Sequence, residues 1–139
     1  MVIRGLLDRH PQRRKVVTTT VEHPSVLSLL RALEREGVIE GYAYATPWKA
    51  RSAYRFAVES TVYVSRSSVR RGIGTRLYEA LIAELRVRGM HCMIGGIALP
   101  NPASVALHER LGFKKVAQFL EVGFKLGRRV DVAYWELML

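Results

Sequence analysis

The stretch YVSRSSVRRGIGTRLYEAL, residues 63–81, decides how this chain is read. It opens on the end of a β-branched and aromatic run, FAVESTVYV, which reads as a strand. It closes in a helical pattern. Across residues 75–89, Leu77, Leu81 and Leu85 recur every four residues with Tyr78 and Ile82 beside them, while Arg76, Glu79, Glu84, Arg86 and Arg88 take other faces. Between the two lie Arg70, Arg71, Gly72, Ile73 and Gly74. A strand that runs through such a turn into a helix gathers the helix's unpaired N–H groups at one point, where their partial positive charge favours an anion. Gly72 and Gly74 let the backbone approach a ligand closely, and Arg70 and Arg71 add charge. By itself the stretch fits two readings, a phosphate seat and a basic turn that starts a helix. It is not the dinucleotide pattern G-x-G-x-x-G, since position 77 is Leu, and it is not a Walker loop.

Outward from this stretch the chain alternates strands and helices. VIEGYAYATPW (38–48) reads as a strand stopped by Pro47, and YRFAVESTVYVS (54–65) as a long strand. HCMIGGIAL (91–99) is a short apolar run, hence a buried strand. NPASVALHERLG (101–112) has Asn101 as N-cap, Pro102 at the first helical position and Gly112 as the stop. KKVAQFLEVGFKLG and RRVDVAYWELML read as two closing strands joined at Gly127. Upstream, HPSVLSLLRALEREG (23–37) fits either a helix capped by Ser25 and ended by Gly37, or a strand turning at Gly37. Residues 1–22 show no clear element before Val16 and read as loop or arm. The order predicts a single α/β domain over 1–139, with 1–25 an arm and 26–139 the core.

Composition bounds the function. At 139 residues with 49% hydrophobic and 24% charged residues, the chain suits one packed core. A single cysteine, Cys92, excludes an internal disulfide framework and a Cys-based zinc site. His10, His23 and His91 are not spaced as ligands, so no metal is expected. No apolar run approaches a membrane span and no signal-peptide core opens the chain, so a cytoplasmic location is the expectation. The net charge of +10 favours an anionic partner without choosing among nucleic acid, an acidic membrane surface and a phosphorylated cofactor.

Two ordered motifs narrow that choice. VRRGIGTRLYEAL after STVYV resembles the acetyl-CoA pyrophosphate loop of the GNAT acetyltransferases, written Q/R-x-x-G-x-G/A. LPNPASVALHERLGFKKV (99–116) resembles that superfamily's Asn-led helix and Gly-Phe turn. GYAYATPWKARSAY, ESTVYVS, LHERLGF and GFKLGRRVDVAYWEL are similar to the phosphinothricin N-acetyltransferase subgroup, and the likeness runs from Ala32 to Leu137. It implies a mixed, mostly antiparallel twisted sheet flanked by helices. The residues ahead of it match nothing in the family, so the first strand and the N-terminal helices are expected to be shortened or missing. It also tilts residues 28–35 toward a strand, against their own helix signal. The motif's Gln/Arg position is Val69 here. The loop works mainly through backbone N–H groups, so cofactor binding is expected to survive.

The resemblance implies direct acetyl transfer from acetyl-CoA to the primary amine of a small amino-acid-like substrate. Free amines of this kind are mostly protonated at neutral pH, so a general base helps, and the departing thiolate needs an acid. Glu59, a carboxylate within an apolar strand, is the expected base. His108 is the second catalytic candidate, on a helix position where the subgroup has His and many relatives a Tyr. Its near-neutral pKa suits either role. Tyr63, Val64, Arg70, Arg71, Gly72, Ile73, Gly74, Thr75 and Asn101 are expected to bind the cofactor, with the Val64 N–H as oxyanion donor if the strand splays there. Arg51 and Tyr54 are expected to grip a substrate carboxylate. Tyr134 and Trp135 are expected in the core or a dimer contact, and a homodimer is the family-level expectation. Three other readings stand beside this one: acetylation of another small amine or a protein N-terminus, an acyl-CoA-binding module without turnover, and a basic nucleic-acid binder. The last has charge but no reading motif or aromatic platform, so neither nucleic acid nor membrane is expected as partner.

Overall fold

The computed structural model describes residues 15–18, 28, 31, 35 and 39–139. Six strands form one sheet: β1 (Lys15–Thr18), β2 (Gly41–Pro47), β3 (Ala57–Val64), β4 (Cys92–Ala98), β5 (Lys114–Lys125) and β6 (Arg128–Met138). Their order across the sheet is β1-β2-β3-β4-β6-β5. The pairs β1/β2 and β3/β4 run parallel, and the other three pairs run antiparallel. Two helices, α1 (Ile73–Val87) and α2 (Pro102–Arg110), follow β3 and β4. This is the mixed α/β architecture expected.

The N-terminal part differs from its expectation. Val16 and Val17 belong to a strand, β1, rather than to a loop or arm. Ser28, Arg31 and Arg35 are helical and exposed, so the local helix signal prevails over the strand suggested by resemblance. The parallel β1/β2 pairing gives the reason. Parallel neighbours need a crossover between them, and a helix supplies it where a hairpin cannot. Ser25, Leu29, Leu30, Leu33, Gly37, His10 and His23 lie outside the described residues.

The apolar stripe of α1 packs on the sheet as its spacing predicts. Leu77, Leu81 and Leu85 are almost fully buried, against Ala43, Ala45, Val58 and Met93 from three strands. Each such leucine stabilises the fold by roughly 1.5–3 kcal/mol of burial. The same face of the sheet carries α2, tied to β6 by a hydrogen bond from Trp135 Nε1 to Glu109 Oε1 at 3.3 Å. Trp135 is thus a core residue, as expected. Gly89 ends α1 at φ +71°. The β5–β6 turn uses Leu126 and Gly127, both at positive φ, the pattern of a tight two-residue hairpin.

Candidate active site

The site begins where β3 and β4 part. Their ladder pairs Ala57 with Cys92 through Ser60 with Gly95 and ends there, while β3 runs on to Val64 and β4 to Ala98. On its other side β3 stays paired with β2. The phase of that ladder is fixed at its ends, by Ser65 N–H on Glu40 O at 2.8 Å and Trp48 N–H on Ala57 O at 3.0 Å. Antiparallel strands alternate, so Thr61 and Tyr63 bond to β2, and the N–H groups of Val62 and Val64 turn into the gap. By the same reasoning the Leu99 N–H on Asp131 O directs the carbonyl of Gly96 and the polar groups of Ala98 to the opposite wall. The result is a V-shaped cleft walled by unspent backbone donors and acceptors, the expected place for Val64. A cavity of about 220 Å³ occupies it, lined among others by Ser60, Tyr63, Tyr78, Asn101 and His108.

At the mouth of the cleft lies the basic turn. Gly72 is the N-cap of α1 at φ +70°, with no side chain capping the helix. The first intrahelical acceptor is Gly72 O, reached by Arg76 N–H, so the N–H groups of Ile73, Gly74 and Thr75 are left pointing outward. A Cβ at Gly74 would stand 3.2 Å from Leu107 Cδ2 and 3.6 Å from Val64 Cγ2, so glycine lets α1 start directly against α2 and β3. Arg70 is held at φ +63°. The Arg71 guanidinium is paired with Glu40 at 2.8 Å, so what this turn offers an anion is chiefly backbone N–H groups and the Arg70 charge.

Asn101 caps α2, its Oδ1 accepting from Ser104 N–H at 3.1 Å, and its amide nitrogen is not spent on that cap. His108 lies further along α2, 3% exposed. Its Nδ1 bonds Ser104 O at 2.7 Å and its Nε2 lies 3.2 Å from the Tyr78 hydroxyl. Burial pushes its pKa below the ordinary value of 6.5, partly offset by the Ser104 carbonyl. The helix ends in a Schellman turn: Phe113 N–H bonds His108 O and Gly112 N–H bonds Glu109 O. That turn lays Phe113 against His108, ring centroids 5.0 Å apart. The leucine-glycine-phenylalanine end of the helix is therefore part of how the imidazole is held.

Glu59 stands on the other face of the sheet. Its neighbours Val58 and Ser60 are buried under the helices, and successive side chains of a strand alternate. Burial raises its pKa above 4.5, and the nearby Lys49 ammonium partly opposes that. Around it are Trp48 and Tyr134, whose rings meet edge to face at 5.7 Å, with Lys49 over the Trp48 ring at 5.0 Å. Two successive glycines of β4 serve both candidates. A Cβ at Gly95 would fall on the His108 ring, and one at Gly96 would stand 3.4 Å from Glu59 Oε1 and 3.0 Å from Tyr134 Cε1. Glycine in a strand interior often marks such a close approach, and that signal was present in HCMIGGIAL. Ser60, Tyr78, Tyr134 and Lys49 are further site residues the sequence reading did not single out for this role. Arg51 and Tyr54 belong to an exposed turn at Ser52–Tyr54 and do not line the cleft cavity. No cluster of three or more metal-ligating side chains occurs among the described residues.

The profile of the acetyltransferase (GNAT) family matches residues 6–113. The chain belongs to the GNAT family. Among curated GNAT relatives, a phosphinothricin N-acetyltransferase of Streptomyces viridochromogenes is 46% identical over 103 residues, 74% of this chain and 56% of its own length. An L-methionine sulfoximine/L-methionine sulfone acetyltransferase of Salmonella typhimurium is 41% identical over 106 residues, 76% of this chain and 62% of its own. The chain thus spans somewhat over half the length of these relatives. Among solved GNAT structures, a phosphinothricin acetyltransferase from Sinorhizobium meliloti in complex with acetyl-CoA superposes with a TM-score of 0.72 at 33% identity, covering 83% of this chain and 66% of that one. An acetyltransferase from Salmonella typhimurium, solved with its cofactor acetyl-CoA, gives 0.73 at 34% identity, covering 85% and 74%.

Proposed function

We propose that this chain is an N-acetyltransferase that moves the acetyl group of acetyl-CoA directly to the primary amine of a small amino-acid-like substrate. The observation that carries this reading is the cleft between β3 and β4 with an uncapped helix N-terminus at its mouth. The cleft offers donors to an extended amide-bearing arm, and the α1 terminus offers N–H groups to a pyrophosphate. Acetyl-CoA, as co-substrate, supplies the acetyl group and a thiolate leaving group. Tyr63, Val64, Arg70, Gly72, Ile73, Gly74, Thr75 and Asn101 hold it, the Arg71 side chain contributing less because Glu40 engages it. The Val64 N–H faces the negative charge that develops on the thioester oxygen. Glu59, with its raised pKa and open aromatic surroundings, takes a proton from the ammonium of the substrate. His108, facing the cleft from the helix side, handles the proton on the thiol side.

Substrates of the phosphinothricin, methionine sulfoximine and methionine sulfone type fit this reading, since proteins named for them are similar over three quarters of the chain. Lys49 beside Glu59 adds a cation for a substrate carboxylate, a part first expected of Arg51 and Tyr54. The exposed apolar residues of the edge strand β5 support a homodimer. A reading as a CoA-binding module without turnover is favoured by one observation, the exposed placement of Arg51 and Tyr54 away from the cavity. Incubation with acetyl-CoA and a panel of amines, followed by thiol release, separates the two. Turnover on phosphinothricin or methionine sulfone supports the transferase. A thermal shift with acetyl-CoA but no turnover on any amine supports the module, and no shift at all removes the argument from the loop.

A further inference from the structure

His108, Tyr78 and Ser60 form a buried chain that ends on a backbone carbonyl at each side. The contacts are Ser104 O to His108 Nδ1 at 2.7 Å, His108 Nε2 to Tyr78 Oη at 3.2 Å, Tyr78 Oη to Ser60 Oγ at 3.1 Å and Ser60 Oγ to Ile94 O at 3.2 Å. A carbonyl only accepts, so Nδ1 carries hydrogen in every state, and the contact to Ile94 is filled only when Ser60 donates to it. Each of the four contacts needs one hydrogen. A neutral imidazole, a phenol and a serine hydroxyl bring one each, which leaves one contact unfilled. In that state the Tyr78 hydroxyl donates to Nε2, and Ser60 must choose between Tyr78 and Ile94. One proton added at Nε2 fills the chain in a single direction: Nε2–H to Tyr78, Tyr78 to Ser60, Ser60 to Ile94.

We propose that Ser60 and Tyr78 are positioning residues forming a switchable hydroxyl pair, which lets the buried His108 accept and release a proton without stranding a buried polar group, so that Ser60 sets the basicity of a ring it does not touch. The transfer balances locally. The ring gains or loses one proton at Nε2, the nitrogen bonded to Tyr78, and the two hydroxyls turn; Tyr78 and Ser60 line the cleft cavity beside the ring. Burial alone opposes the imidazolium, and the filled chain offsets part of that opposition. The groups that face the ring are Tyr78 from α1, Gly95 from β4, Phe113 after the helix and the Ser104 carbonyl of α2 itself. Glu109 on α2 is engaged by Trp135 of β6, and Tyr63 and Lys125 line the same cavity. What the proton does in turnover rests on the function proposed above.

The test is an NMR titration of the His108 ring in the protein alone, its signal assigned by loss in His108→Asn. In Ser60→Ala the neutral state keeps its Tyr78–Nε2 bond while the charged state loses the acceptor for Tyr78, so the His108 pKa falls by about one pH unit. Tyr78→Phe lowers it at least as far, and adding Ser60→Ala to Tyr78→Phe lowers it no further. Ser60→Thr, which keeps the hydroxyl, restores the wild-type value, and this Ala/Thr pair decides the matter should Tyr78→Phe fail to fold. An unchanged His108 titration in Ser60→Ala overturns the proposal. The limb of the pH–rate profile for acetyl transfer moves in step with the NMR shift, and a shifted ring with a fixed limb overturns the use of this proton in turnover. Because the titration needs neither acetyl-CoA nor an amine, a protein that transfers no acetyl group still answers the first question.

Discussion

Burial acts on the two catalytic candidates in opposite directions, raising Glu59 and lowering His108. Both shifts favour the neutral form, so their linkage to stability has opposite signs. A carboxyl raised in the fold contributes stability at low pH that is lost as pH rises through its folded value. An imidazole lowered in the fold contributes stability above its ordinary value near 6.5 that is lost as pH falls toward its folded value. Thermal denaturation of His108→Asn therefore loses less stability than the wild type between about pH 7 and pH 5, and equal losses in the two proteins would contradict a buried neutral ring. Glu59→Gln removes the proposed proton acceptor but also removes a partly desolvated charge. Turnover falls by about 10²-fold or more, while the melting temperature at neutral pH stays level or rises. Retention of most turnover would take Glu59 out of the chemistry.

At the scale of elements, the turn before α1 separates backbone from charge. Arg71→Ala breaks only a surface ion pair with Glu40, worth under about 1 kcal/mol, and changes acetyl-CoA affinity by less than about threefold. Gly72→Val forces a β-branched residue to φ +70°, a strain of about 1–3 kcal/mol, and reshapes the donors at the helix start. Calorimetry with acetyl-CoA then finds affinity lowered at least about tenfold. Equal losses in the two variants would mean that side-chain charge holds the ligand. The helices with their caps were legible in sequence because each end is written in local chemistry: Gly89, Asn101, Pro102, Gly112. β1 was not, because four residues of strand carry too little alternation to identify, and their pairing is fixed by β2 rather than by themselves. The helix holding Ser28, Arg31 and Arg35 was written in its own spacing, and only analogy argued against it. YRFAVESTVYVS was read three residues too long at its start, where a short turn at Ser52–Tyr54 precedes β3.

For the whole molecule, the candidate residues were legible as a set but their arrangement was not. Period-two alternation puts Glu59 on one face, yet only the tertiary position of α2 puts His108 on the other. Tyr78 read as part of a core stripe and is indeed buried there, but its hydroxyl meets Ser60 and His108 through packing that no local pattern records. The outer edge of the sheet carries the remaining expectation. On β5, Leu120 and Phe124 are 75% and 73% exposed. Replacing both with Lys leaves the fold within about 0.5 kcal/mol per site, since neither is packed in the single chain. If β5 joins two copies, light scattering finds the wild type at twice the mass of the double variant. A single-chain mass for the wild type would remove the homodimer.

The short β3/β4 ladder has a mechanical meaning as well. It spans only four residue pairs, Ala57–Cys92 to Ser60–Gly95, and it is the strand-to-strand seam between β1-β2-β3 on one side and β4-β6-β5 on the other. A seam so short is a compliant joint. A guest bonded to Val62 and Val64 on one wall and to Gly96 and Ala98 on the other would lengthen the joint and brace the two halves together, along the line where Glu59 and His108 lie on opposite faces of the sheet.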